Sequence, residues 1–139
     1  MFVSQSMTSR VITSCPEDDI FDAKEKMDMY HIRHMPVIDS NHIIVGIVTD
    51  RDIRSALPSQ LLQYLGNREE RSALSEYKVQ DIMTQNPLTI SPNQTIQDAL
   101  LLIQKNLIGA LPVVDENNVL KGISRIHDFY TWIKCWNTY

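Results

Sequence analysis

One feature constrains this chain more than any other: it repeats itself. Sliding the sequence along itself by 76 residues lays Val3–Ile53 over Val79–Phe129 without a gap. Met7-Thr8 falls on Met83-Thr84, Thr13 on Thr89, Pro16 on Pro92, and Asp22-Ala23 on Asp98-Ala99. Further on, Pro36-Val37 meets Pro112-Val113, Asp39 meets Asp115, Gly46-Ile47 meets Gly122-Ile123, and Asp52 meets Asp128. The matches fall at turn and polar positions as well as apolar ones, so a tandem duplication accounts for them better than shared composition.

Each copy reads as strand, helix, strand, strand, helix. Thr13–Pro16 and Thr89–Pro92 are extended segments ended by proline, which pushes the preceding residue out of the helical region. Asp19 and Thr95 are the residue types that cap helices, and Ile20, Ala23 and Met27 (Ile96, Ala99 and Ile103 in the second copy) recur at helical spacing. Met35–Ile38 and Leu111–Val114 are short apolar strands, followed by Asp/Asn-rich turns and a second strand, which predicts a hairpin in each copy. Val37, Ile47, Val113 and Ile123 are expected in the core. The predicted organisation is a first repeat over 1–57, a helical connector over 58–78 and a second repeat over 79–139. The second repeat ends in a helix rich in rings: Phe129, Tyr130, Trp132, Trp136 and Tyr139.

Composition removes several function classes. The 139 residues carry a net charge of -4 without a basic run, which argues against non-specific nucleic-acid binding as the main task. Four glycines leave no room for a GxGxxG turn or a Walker loop. Cys15 and Cys135 are widely separated and match no metal or redox spacing, which fits a reducing, cytoplasmic setting. No apolar run reaches the ~20 residues of a membrane helix, and the N-terminal MFVSQSMTSR has no signal-peptide core. His31 and His34 have metal-ligand spacing, but no third ligand accompanies them. With no nucleophile and base set legible, the chain is not expected to be an enzyme.

The segment Thr49-Asp50-Arg51-Asp52 permits two readings. A hydroxyl followed three residues later by a carboxylate is a helix cap. The same groups can bind a nucleotide: helix-start amides and the hydroxyl take phosphate, while the acceptor-only carboxylate takes both ribose hydroxyls. Spacing alone leaves both open. Arg51 and Arg54 follow the turn, either as phosphate contacts or as solvated surface charge.

The twofold pattern of MT, (T/S)xxP, PVhD and GhhTxxD resembles the CBS domain, a family commonly found as a tandem pair called the Bateman module. Val79–Thr84 and the connector look most like the CBS pair of acetoin utilization protein B-like bacterial proteins, without the ACT domain that can follow it. The resemblance implies an α+β fold of two β-α-β-β-α repeats with pseudo-twofold symmetry. It also implies a regulatory module that senses an adenosine-containing ligand (AMP, ADP, ATP, S-adenosylmethionine or NADH) in clefts between the repeats. Carried over by residue, one cleft uses Thr49 for phosphate and Asp52 for ribose, with Leu88, Thr89, Ala110, Leu111 and Pro112 around the base. The other uses Asp128, with Ile12, Thr13, His34, Met35 and Pro36 around the base. There the sequence departs from the pattern: Arg125, preceded by Ser124, stands where a hydroxyl is expected. The arginine either holds phosphate as a cation, shifts it, or blocks the cleft. The family resemblance and the aromatic tail imply a homodimer, and the regulated partner protein is unspecified. The competing reading is an interaction or dimerisation module with degenerate clefts.

Overall fold

The computed structural model describes residues 1–56 and 77–129, so nearly all of the connector and the tail beyond Phe129, including Trp132, Trp136 and Tyr139, lie outside the described residues. The elements are α1 (Val3–Ser6), α2 (Ile20–Tyr30), β1 (His34–Ile38), β2 (Ile44–Thr49) and α3 (Asp50–Ala56). They continue with α4 (Val79–Ile82), β3 (Thr84–Gln85), α5 (Ile96–Asn106), β4 (Ala110–Val114) and β5 (Leu120–Arg125). The content is mixed α+β, and the extended segment before each long helix, expected as a full strand, joins its hairpin through one parallel bridge, Ser14 with Val37 and Ile90 with Val113. Residues 126–129 begin a helical turn where the first copy has α3.

The chain divides into two compact units, and the division cuts across the repeats. One unit comprises Ile12–Ser40 and Val45–Asn86; the other comprises Met1–Val11, Asn41–Ile44 and Pro87–Tyr139. Each therefore holds the body of one repeat together with the lead-in segment of the other copy.

In the first unit, Asp19 caps α2 by accepting from the Phe21 amide at 2.7 Å, and the helix ends at His31 in the left-handed region, φ 54°. Ile20, Ala23 and Met27 pack with Met35, Val37, Val48 and Ile53 into a core that includes Val79 of the lead-in helix α4. Each such aliphatic side chain contributes roughly 1.5–3 kcal/mol when fully buried. The sheet order is β1-β2-β3, with Gly46 opposite Gln85 and Ile47 opposite Thr84 in antiparallel register. Ile47, expected in the core, is only half-buried, and Val48 is the fully buried residue instead. The reason is the period-2 alternation of β2: Ile44, Gly46 and Val48 share the buried face.

The second unit repeats this design. Thr95 and Asp98 form a reciprocal capping box for α5 (3.2 Å each way), and the helix ends at Leu107 with φ 52°. Ile96, Ala99, Ile103, Leu111, Val113 and Phe129 form its core with Val3 of α1. β4 and β5 pair antiparallel, with Ala110 opposite Arg125 and Leu111 opposite Ser124. Ile123, 4% exposed, and Val113 are buried as expected.

The two lead-in segments dock alike. Val79 and Gln80 donate to the Asp18 and Pro16 carbonyls at 2.8 and 3.0 Å; Val3 and Ser4 donate to those of Gln94 and Pro92 at the same distances. Beyond the helix, the Met83 side chain lies over Gly46, where an added Cβ would stand 2.5 Å from its sulfur. Met7 lies over Gly122, with the corresponding distance 2.7 Å. The recurrence of Met-Thr and of Gly-Ile in both copies thus has one physical reason: strand backbone and methionine approach too closely for a side chain.

Candidate functional site

In the first unit, β2 runs directly into α3, so Thr49 is the N-cap and Asp52 the third helical residue. The Thr49 amide donates to Asp52 Oδ2 at 3.0 Å and the Asp52 amide donates to Thr49 Oγ1 at 3.1 Å. This is the capping box read from the sequence, and both residues remain half-buried. It leaves functional capacity: a hydroxyl keeps its proton as a donor, and a carboxylate keeps its second oxygen as an acceptor. Arg54 forms an ion pair with Asp50, which also faces Lys24 at 3.7 Å, so Arg54 is tied to its own helix. Arg51 is exposed.

Ile12, Thr13, His34, Met35 and Pro36 lie in this same unit. Met35 is fully buried within the core, which makes it a packing residue, while Ile12, Thr13 and His34 are partly exposed. The pattern did not single out Lys26, whose ammonium donates to the Thr13 carbonyl at 3.0 Å and lies 4.0 Å from Asp18. The signal available was that Leu102 occupies the corresponding place in the second copy.

The second unit holds Arg125 and Asp128 together with Leu88, Thr89, Ala110, Leu111 and Pro112. The Arg125 amide donates to Asp128 Oδ2 at 3.0 Å, reproducing half of the capping box. The reciprocal bond is missing because arginine has no acceptor. Its guanidinium instead donates from Nη2 to Thr8 Oγ1 at 3.4 Å, while Nε is buried. Among the described residues neither this Nε nor the buried Ser124 hydroxyl has a hydrogen-bond partner. Leu111 is fully buried in the core, Ala110 is 4% exposed, and Leu88 is 45% exposed. An open depression of about 360 Å³ is lined by Thr89–Gln94 on one side and Val114–Glu116 on the other. Thr89 is the one expected site residue on its wall. Among the described residues no cluster of three metal-ligating side chains occurs, and no helix is long and apolar enough to cross a membrane.

The CBS domain profile matches residues 3–59 and again 79–134. The chain belongs to the CBS domain family. Its two matches make it a CBS pair, and the doubled lead-in, hairpin and helix described above are the pair's architecture. AcuB of Vibrio cholerae is 29% identical, with a TM-score of 0.79 over 99% of this CBS pair and 93% of that chain. CBSX2 of Arabidopsis thaliana, solved in complex with AMP, is 28% identical, with a TM-score of 0.80 over 98% of each chain. Inosine-5'-monophosphate dehydrogenase of Halalkalibacterium halodurans is 34% identical over 114 residues. That match spans 81% of this CBS pair but 20% of the dehydrogenase.

Proposed function

We propose that this CBS pair is a regulatory module, without chemistry of its own, that senses an adenosine-containing nucleotide. The observation that carries the reading is the Thr49–Asp52 turn. Its capping bonds hold the hydroxyl and carboxylate in place while leaving a donor for phosphate and an acceptor for ribose hydroxyls. The 28% identity to CBSX2, a protein captured with AMP, supports an adenine nucleotide as the ligand class. In this reading Leu88, Thr89 and Ala110–Pro112 line the base opposite Thr49 and Asp52. Arg125 and Asp128 serve a second ligand, with Ile12, Thr13 and His34 around its base. ADP, ATP and S-adenosylmethionine share the adenosine part and fall within the class.

Binding shifts the populations of two arrangements of the protein, and a partner protein reads that shift in the cytoplasm. Isothermal titration with AMP tests the assignment. Asp52→Ala should weaken binding by roughly 1.5–3 kcal/mol, tenfold to a hundredfold, because a charged acceptor for two hydroxyls is lost. An affinity equal to wild type removes Asp52 from the site. The same reading takes the protein as a homodimer whose aromatic tail supplies interface anchors. Light scattering of a chain lacking Trp132–Tyr139 should then report a monomer; a persisting dimer removes the tail from the interface.

A further inference from the structure

The two turns present different charges to a ligand, and Arg125 is where they part. Its guanidinium is half-buried, and among the described residues no carboxylate lies within ion-pair distance of it. The carboxylate beside it, on Asp128, accepts from the Arg125 backbone amide. Thr8 Oγ1, a neutral acceptor at 3.4 Å, meets Nη2. Nε is buried and has no hydrogen-bond partner among the described residues. A buried guanidinium N–H without an acceptor is costly, and charge in such a place is ordinarily paired. The group that satisfies it must be an acceptor small enough to reach a half-buried site, and a guanidinium fork fits a phosphate through two parallel hydrogen bonds.

We infer that the Arg125 half-site takes the distal phosphates of a nucleoside di- or triphosphate, and so prefers polyphosphates where the Thr49 half-site does not. This rests on the nucleotide reading above and deepens it. Thr49 offers phosphate one neutral hydroxyl donor, so each further phosphate charge gains less from it than from a cation. At Arg125 each additional phosphate charge meets a cation that is hydrogen-bonded only to the neutral Thr8 hydroxyl, which steadies one arm of the fork. The preference should weaken as salt rises, because the half-exposed charge is screened.

Titration calorimetry of the full chain with ATP, AMP and pyrophosphate tests this, using Asp52→Ala to silence the other half-site. ATP should bind the remaining site at least about tenfold more tightly than AMP, the scale of charge-assisted pairing. Arg125→Thr should remove that ratio while retaining AMP binding, and Arg125→Lys should keep part of it; circular dichroism melts confirm that each variant is folded. A ratio unchanged in Arg125→Thr overturns the inference, as does a uniform rise in affinity for ATP and AMP, which would mean that the side chain blocks the site. If wild type binds neither nucleotide, the nucleotide reading fails. Pyrophosphate binding lost in Arg125→Thr would still uphold an anion site there, whereas no pyrophosphate binding overturns it.

Discussion

The turns Thr49–Asp52 and Arg125–Asp128 are built on the same frame and furnished differently. In both, an aspartate accepts from the backbone amide three residues before it, at 3.0 Å. Only the first adds the return bond, from the Asp52 amide to the Thr49 hydroxyl. The difference teaches that the carboxylate-to-amide bond is enough to start the helix, which leaves the residue at the head of the turn free to change its chemistry. The same contrast runs one residue earlier. Val48 is fully buried in one unit, and its counterpart Ser124 is fully buried in the other with an unpartnered hydroxyl. One copy is thus capped in both directions, while the other carries, side by side in sequence, a buried hydroxyl and a cation that have no hydrogen-bond and no ion-pair partner respectively among the described residues.

Three measurements break or sharpen this comparison. The largest effect is expected at the glycines, where the units agree. Gly46→Ala and Gly122→Ala should each destabilise the protein by about 1–3 kcal/mol in urea unfolding, as overpacking does. The new Cβ would stand 2.9 Å from the Thr8 carbonyl oxygen at Gly122 and 3.0 Å from that of Thr84 at Gly46, so both variants meet backbone that moves poorly. Negligible losses would mean that the methionine lead-ins yield freely.

A smaller effect tests where the units differ. Ser124→Val, which restores the first copy's residue, should raise stability by about 1 kcal/mol, because a buried hydroxyl without a partner is desolvated for no return. Ser124→Ala serves as the control that adds no bulk. A thermal midpoint lowered in both would show that the hydroxyl is satisfied in solution.

The smallest effect concerns acid. The backbone amide of Val119 has the largest effect in holding Asp115 below its ordinary value of 3.8; desolvation, next in size, opposes it, and the Asn117 amide and Lys121 add to the lowering. The folded form therefore binds its proton less readily than the unfolded form. Its contribution is present above the ordinary carboxylate range and is lost as pH falls through the lowered folded value. Asp115→Asn should flatten the acid limb of the stability profile slightly. A profile superimposable on wild type would remove Asp115 from acid unfolding.

Much of the local structure was legible in advance. Asp19 and Thr95 were readable as caps because a short polar side chain before a helical apolar pattern has few other uses. Both hairpins followed from Asp/Asn turns between apolar runs. The helix ends were not legible: His31 and Leu107 take the left-handed conformation usually left to glycine, and Leu107 does so 93% exposed. Backbone hydrogen bonds to Met27 and Ile103 hold these ends, and no side-chain signal advertises them. At the candidate site, the Thr49–Asp52 spacing was visible, but it could not show that Arg54 is drawn to Asp50 or that Lys26 reaches the Thr13 carbonyl. The Asp50–Arg54 pair lies within one helix, where its i,i+4 spacing permits it, whereas the Lys26 contact depends on how α2 packs against the extended segment before it, which no short window of sequence contains.

By itself, the sequence determined the duplication and the order of the main helix and hairpin within each copy, and it showed that Met-Thr and Gly-Ile recur in both. What it left undecided was which lead-in packs on which copy. Met7 and Met83 are the same signal, as are Gly46 and Gly122, so local chemistry is satisfied equally well by pairing within a copy or across copies. The tertiary structure settles the choice: Met7 lies over Gly122 and Met83 over Gly46, each copy completing the other's sheet. Local propensity and turn chemistry act over a few residues, whereas this choice joins residues as distant as Thr8 and Ile123. It is decided by which arrangement closes both cores at once.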